Sequence, residues 1–221
     1  MINEPLVLIP GFMTDDDLWR DISPFLSDRD IVYASLNEGS SIEELATRLL
    51  ERLPQRFILL GFSMGGYVAR QIAYSAPTRV EALILVGTSS RAGAPSSQTS
   101  SPQSFKGLST RALARALHPS RASCRSLLDR LRAMSIRGGG DLYARLSTME
   151  RKSDHSKLGL ITCPTLVVAA ANDLLRPLEE GQELADALNT PLVVVEDCGH
   201  MVPMEKPEKL SKIIQDWLAS L

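Results

Sequence analysis

The sequence has few of the features that mark secreted, membrane-spanning or zinc-binding proteins. Its 221 residues include three cysteines, Cys124, Cys163 and Cys198. Their odd number and wide spacing argue against a disulfide scaffold and against a zinc site. No apolar run approaches the roughly 18 residues of a membrane helix. No basic segment precedes the first apolar run, which Glu4 interrupts, so we expect no signal peptide and a cytoplasmic location.

Internal repeats are also absent from the sequence, and apolar runs alternate with helical patterns. The runs that indicate strands are 5–10, 30–36, 56–61, 80–87, 164–171 and 191–196. Amphipathic patterns lie between them, for example Ser41 to Leu53, which begins with the capping-box sequence Ser41-Ile42-Glu43-Glu44. This order predicts an α/β fold, with a mostly parallel, doubly wound sheet of about six strands.

The segment Gly61-Phe62-Ser63-Met64-Gly65-Gly66 joins the apolar run Phe57–Leu60 to a helical pattern from Tyr67 to Ser75. A strand that turns into a helix through Gly-x-Ser-x-Gly is typical of a nucleophile elbow, with the serine at a strained tip. The flanking glycines are expected to leave room where a Cβ would clash with neighbouring chain. A glycine-rich turn with a surface serine has the same pattern, so the interpretation depends on partner residues.

Two later strands end in residues that could activate this serine. Asp173 follows the run 164–171, and His200 follows the run 191–196. The carboxyl ends of parallel strands meet at one edge of a sheet, and the order Ser, Asp, His is that of a hydrolase with this elbow. A serine needs a nearby base, a histidine suits neutral pH, and a carboxylate fixes the histidine tautomer. We therefore predict Ser63, Asp173 and His200 as a catalytic triad that needs no metal or cofactor.

The acid has alternatives. Asp173 could be a loop aspartate that caps the next helix, and Glu196 or Asp197 could take its role. Asp197 is so close to His200 in sequence that its carboxylate cannot easily approach the far ring nitrogen, which favours Asp173.

The base has fewer alternatives, because the chain has three histidines. His118 precedes Pro119 at a predicted helix end, and His155 lies in a charged loop, so His200 is favoured as the base. We interpret Cys198 beside it as a small packing residue.

The first apolar run leads into Gly11-Phe12, which could be a simple turn or half of an oxyanion hole. The tetrahedral intermediate of acyl transfer needs two N–H donors aimed at its oxygen. The motif predicts the backbone amides of Met64 and Phe12 as these donors. We also expect the side chains of Phe12, Met64 and Met201 to line the substrate pocket.

Together these residues resemble the α/β-hydrolase superfamily, and in particular its small capped bacterial members similar to pimeloyl-carrier-protein methyl ester carboxylesterases. The segments that carry the resemblance are Ile9–Phe12, Gly61–Gly66, Ala171–Asp173, Cys198–His200, 76–80 and 204–208. The resemblance implies a core of residues 1–90 and 158–221, with a helical cap at 91–157 over the active site. Pro10-Gly11 replaces the His-Gly of many relatives, and Leu36–Ser41 replaces their Pro-Gly-His-Gly, which weakens the transfer of any particular substrate.

Residues 91–157 break the alternation of strands and helices. They begin with a polar stretch, Arg91–Pro102, that reads as a mobile linker. Helical patterns follow at about 109–118, 121–136 and 141–152, with a break at Gly138–Gly140.

This segment has an unusual charge. It holds 13 Lys or Arg and 4 Asp or Glu, a net +9, whereas the rest of the chain holds 11 basic and 22 acidic residues, a net −11. The charge could dock the segment on the core, or Arg121, Arg125, Arg132 or neighbouring residues could attract an anionic substrate, such as an acyl carrier protein or a carboxylate-bearing ester. We expect no nucleic-acid partner, because the charge is local and no recognition motif accompanies it.

The sequence thus favours a serine esterase or thioesterase. The alternatives are other chemistry on the same scaffold (perhydrolase or haloperoxidase, acyltransferase, lyase or carbon–carbon bond hydrolase) and a binding protein without turnover, because a fold and a triad do not fix the reaction.

Overall fold

The structure, a computed structural model, describes residues 4–93 and 102–221. Its centre is a six-stranded sheet with the order β2-β1-β3-β4-β5-β6, in which every pair of neighbouring strands is parallel. The strands are β1 (Leu6–Ile9), β2 (Ile31–Tyr33), β3 (Phe57–Phe62), β4 (Val80–Val86), β5 (Thr165–Ala170) and β6 (Leu192–Val195). All six lie within one residue of the predicted runs or inside them, so the predicted α/β sheet is confirmed.

The sheet is covered on both faces, as its uninterrupted apolar strands require. Because side chains alternate along a strand, Ile58 and Leu60 of β3 join one apolar cluster while Phe57 and Leu59 join the other. None of these four side chains is exposed. The two clusters hold the strands rigidly and fix where each strand ends.

Helices lie on both faces. They are α1 (Ile42–Leu50), α2 (Met64–Ser75), α3 (Thr110–Arg115), α4 (Arg125–Thr148), α5 (Leu178–Ala187), α6 (Val202–Glu205) and α7 (Pro207–Ala219). Side chains of α1, α2 and α5 belong to one apolar cluster, and side chains of α7 belong to the other. The sheet is therefore doubly wound, as predicted.

Two helix starts differ in detail from the prediction. Helix α2 begins at Met64 and not at Tyr67, because the chain turns into the helix directly after Ser63. At α1 the Ser41 hydroxyl accepts from the Glu44 amide as predicted, but the Glu44 carboxylate accepts from the Ser40 amide, one residue before the usual capping-box partner.

The inserted segment, by which we mean residues 102–157, contains α3 and α4 and lies between β4 and β5. Helix α3 stops at Arg115, earlier than predicted, and His118 adopts ψ 143°, as expected of a residue before proline. Helix α4 is interrupted at Gly139, where φ is 77°, inside the predicted break. The predicted linker falls largely on residues 94–101, outside the described residues.

Charged side chains tie the inserted segment to the core. Arg137 binds Asp15 at 2.7 Å, and Arg130 binds Asp17 at 3.3 Å. In a third pair the segment supplies the acid: Asp154 binds Arg70 of α2 at 2.6 Å, and the Arg70 side chain is fully buried. This arrangement agrees with the docking interpretation of the segment's charge.

None of the helices that the structure describes is both long enough and apolar enough to cross a bilayer.

Candidate active site

Ser63 occupies a strained turn between β3 and α2. Its φ of 52° lies in the left-handed region, which non-glycine residues seldom adopt. The turn is tight enough to need its glycines. A Cβ on Gly61 would lie 2.6 Å from the Gly65 carbonyl oxygen, and a Cβ on Gly65 would collide with the carbonyl oxygens of Ile9 and Pro10. The backbone thus presents the hydroxyl at the carboxyl edge of the sheet.

The structure brings the three predicted triad residues together. Nε2 of His200 lies 2.9 Å from the Ser63 hydroxyl oxygen, and Nδ1 of His200 lies 2.6 Å from Oδ2 of Asp173. The imidazole and the carboxylate are both buried, and the serine is half-buried. One ring nitrogen therefore contacts the serine and the other contacts the carboxylate. In this arrangement a histidine can act as a base and take a proton from a serine.

Asp173 also makes the capping contacts that were the alternative to a catalytic role. Its Oδ1 accepts from the amides of Leu175 and Arg176 at 2.7 and 2.8 Å, while its Oδ2 faces His200. Capping and contact with the histidine are therefore compatible, because each uses a different oxygen of the carboxylate. Asp197, in contrast, is 60% exposed and pairs with Lys206.

A second buried carboxylate fixes the loop that carries His200. Glu205 has no exposed side-chain surface, and its oxygens accept from the amides of Gly199 at 3.1 Å and of His118 at 2.8 Å. The guanidinium of Arg121 donates to the same carboxylate at 2.9 Å. Glu205 thus joins the histidine loop to the inserted segment.

The residues predicted for the oxyanion hole and the pocket lie around the serine. Phe12 and Met64 line a cavity with Ser63, and Phe12 and Met201 line a second one with it. Met64 is the first residue of α2, so its amide is one of the N–H groups that the helix itself leaves without an acceptor. Cys198 is fully buried, and burial raises the pKa of its thiol to about 12, which fits a packing role.

The two cavities have volumes of about 240 and 350 Å³. Both are bordered by Phe12, Ser63, Leu108, Leu175 and His200. The smaller one, which we call the apolar arm, is otherwise lined mainly by apolar side chains, among them Leu113, Ala116, Leu131 and Met201, with Arg115 as its one arginine. The larger one, which we call the arginine arm, is lined by Tyr143, Ser147, Arg151 and Arg176, among others. A molecule that reaches Ser63 thus meets a mainly apolar lining in one arm and a pair of arginines in the other.

A model of the alpha/beta hydrolase family matches residues 6–213, almost the whole chain. The chain belongs to the alpha/beta hydrolase family. The fold of this hydrolase is also that of a solved thermophilic esterase from Thermogutta terrifontis, determined with malate bound. The TM-score is 0.80 at 25% identity, over 98% of this chain and 90% of that one.

Curated relatives include two kinds of enzyme. A pimeloyl-[acyl-carrier protein] methyl ester esterase from Legionella pneumophila is 36% identical over 93 residues, which are 39% of each chain. A putative carbamate hydrolase, RutD, from Variovorax paradoxus is 29% identical over 203 residues, which are 84% of this chain and 76% of that one. The match to the methyl ester esterase spans about two fifths of that relative's length.

The arginines singled out in the sequence lie away from the two arms of this hydrolase. Arg121 is held by Glu205, and Arg125 and Arg132 border a separate depression on the inserted segment. Sequence reasoning missed Arg151 and Arg176. Arg176 carried a signal that was not used, since it lies three residues after Asp173, in the loop that presents the carboxylate.

Proposed function

We propose that the protein hydrolyses a carboxylic ester or thioester through an acyl-enzyme intermediate formed on Ser63. The observation that carries the proposal is the continuous contact from Asp173 through His200 to the Ser63 hydroxyl, in the wall of two cavities. The relatives named above, an esterase and a carbamate hydrolase among them, support hydrolysis at a carbonyl carbon.

The reaction begins when the Ser63 oxygen attacks the acyl carbon and His200 Nε2 takes the hydroxyl proton. Asp173 holds the other ring nitrogen and stabilises the imidazolium. The amides of Phe12 and Met64 stabilise the oxyanion, and the start of α2 favours negative charge there. His200 then protonates the leaving group, which departs and leaves the acyl-enzyme.

Water completes the reaction. His200 takes a proton from a water molecule as the water oxygen attacks the acyl carbon. It then returns this proton to the departing Ser63 oxygen as the acid is released. In this scheme residues 91–157 act as a cap whose side chains choose the substrate, while residues 1–90 and 158–221 perform the chemistry. A cytoplasmic location stays a prediction from the sequence.

The test is the hydrolysis of p-nitrophenyl esters of increasing acyl length by the wild type and by Ser63→Ala. We expect the variant to lose at least about 10³-fold in kcat, because the nucleophile is gone. Ser75→Ala, at the exposed end of α2, is the matched control and should retain activity. Wild-type turnover no faster than that of Ser63→Ala would contradict the esterase proposal and direct the search to peroxide-dependent, carbon–carbon or binding assays.

A further inference from the structure

The arginine arm differs from the apolar arm in a way that concerns the substrate. Both begin at Ser63 and His200, yet Arg151 and Arg176 line only the larger one, together with Tyr143 and Ser147, whereas Arg115 is the arginine that lines the mainly apolar smaller one. Cationic and hydroxyl groups side by side are the donors that hold a carboxylate in proteins.

Arg151 is held in the wall by its backbone and its packing. Its carbonyl accepts from the Gly93 amide at 2.8 Å, in an antiparallel bridge just after β4. The guanidinium lies over Gly93, where a Cβ would come within 2.9 Å of Nη2. The Arg151 side chain thus packs against Gly93 while the residue lines the arginine arm.

Arg176 is placed by the catalytic loop itself. Its amide donates to Asp173, and its guanidinium contacts Glu180 at 3.3 Å and lies 5.9 Å from the centre of the Tyr67 ring. Glu180 offsets part of its charge. The two guanidinium groups still act on each other, since burial and then the charge of Arg176 lower the pKa of Arg151. An anion bound near both groups would offset the repulsion between their charges.

We propose that the arginine arm is a carboxylate subsite, so that the preferred substrate is an ester that carries a free carboxylate a few bonds from the scissile carbonyl. The inference rests on the proposed esterase function and names its substrate class. The apolar part of the ester occupies the apolar arm, and the carboxylate binds Arg151, with Arg176 beside it. The carboxylate is not consumed: water adds across the ester bond, and the products are an acid and an alcohol.

The first experiment compares monoethyl and diethyl esters of glutaric and adipic acid, which differ in one negative charge. We expect the wild type to prefer the monoester in kcat/KM by at least about tenfold, as one charge-assisted contact allows. In Arg151→Gln this preference should fall at least about tenfold through KM, and Arg151→Lys should restore part of it. Arg111→Gln, an exposed arginine of α3, is the matched control and should keep the wild-type preference.

A second series places the carboxylate in the alcohol, with acetyl esters of hydroxy acids compared with their ethyl esters. A preference in this series assigns the arginine arm to the leaving group, and a preference in the first series assigns it to the acyl group. No preference in either series, or an equal loss on charged and neutral esters in Arg151→Gln, would overturn the proposal.

Binding separates the subsite from the chemistry. Adipate titrated into Ser63→Ala by calorimetry should bind, and the affinity should fall at least about tenfold in the Ser63→Ala, Arg151→Gln double variant. If no ester is hydrolysed while adipate still binds through Arg151, the esterase proposal is wrong and the subsite remains. If adipate does not bind, and no ester preference is seen, the subsite is wrong.

Discussion

The sheet is held by apolar packing, whereas the inserted segment combines apolar packing with ion pairs to the core. The central strands β3 and β4 are almost wholly buried and apolar, and their ends place Ser63 by backbone geometry alone. The segment joins the core partly through buried apolar side chains, such as Leu131 and Leu146, and partly through ion pairs, such as Arg137 with Asp15 and Asp154 with Arg70. Salt screens exposed ion pairs such as Arg137 with Asp15, and it screens the buried pair of Asp154 with Arg70 much less.

This difference separates chemistry from substrate choice. The Ser63 and Asp173 side chains leave the sheet edge within a residue or a few residues of a buried strand, so their positions follow from the core. The arms beside Ser63 combine this edge with the inserted segment, which is linked to the His200 loop through Glu205 and is otherwise attached away from the triad. Substitutions in the two regions should therefore have different signatures, in kcat for the edge and in stability or KM for the segment.

The largest effect is expected at the sheet edge. Asp173→Asn keeps an oxygen for the loop amides but no longer stabilises the imidazolium of His200. We expect kcat to fall by about 10³–10⁴-fold while the fold persists, as measured by ester hydrolysis and thermal unfolding. Asp197→Asn is the matched control, since its exposed carboxylate is three residues from His200, and should change kcat by less than about threefold. Equal losses in the two variants would remove Asp173 from the proposed triad.

A large effect on stability is expected where the inserted segment meets α2. Asp154 accepts from Arg70 at 2.6 and 3.0 Å and from the Tyr74 hydroxyl at 2.9 Å. Asp154→Asn leaves the fully buried Arg70 charge without its counter-ion, so we expect a loss of about 3–5 kcal/mol in the free energy of unfolding.

Chemical denaturation measures this loss, and Asp15→Asn is the comparison. That residue pairs with Arg137, whose side chain is half exposed, and should cost less than about 1 kcal/mol. Similar losses in the two variants would mean that the buried and the exposed ion pair contribute equally to the free energy of unfolding. The expected dependence on burial would then be wrong.

A smaller effect is expected at Glu205, which belongs to both regions. Glu205→Gln leaves one of the donors from Gly199, His118 and Arg121 without an oxygen, at a cost of about 1–3 kcal/mol in stability. Because the loop holds His200, kcat should also fall, by between about 3-fold and 100-fold. Exposed Glu208→Gln is the control and should change neither quantity. Full activity in Glu205→Gln would show that the loop keeps its place without this carboxylate.

The two regions also differ in how far the sequence could predict them. Uninterrupted apolar runs predicted the six strands, because only a sheet covered on both faces buries such runs. The residues at the strand ends followed, since Asp173 and His200 come shortly after two of the runs. The Gly-x-Ser-x-Gly turn predicted Ser63 because few other residues fit the close backbone approach at Gly61 and Gly65.

The inserted segment could be predicted only in outline. Its helical patterns and the break at Gly138–Gly140 were visible, but the direction of each arginine depends on contacts far away in sequence. Arg121 was a candidate for binding an anion and instead meets Glu205, while Arg151 drew no attention and lines a cavity with Ser63. Charge counts identify a docking surface, but they do not tell which cations line a cavity.

The smallest effect is expected at an exposed charge on one of the helices that cover the sheet. It tests whether such a contact contributes as little there as the exposed ion pairs of the inserted segment do. Hydrogen bonds from the Ser40 hydroxyl and amide, and then from Arg48, lower the pKa of Glu44 in α1 from 4.5 to about 2. A carboxylate with a depressed folded-state pKa stabilises the fold above its unfolded pKa and loses this effect as the pH falls. The difference in melting temperature between wild type and Glu44→Gln should therefore be constant above about pH 5 and should shrink between pH 4.5 and 2. Ser40→Ala removes the largest cause of the pKa shift. The difference in melting temperature between wild type and Ser40→Ala should therefore also shrink in this pH range, but by less. A difference that stays constant down to pH 2 would mean that Glu44 stabilises α1 without its charge.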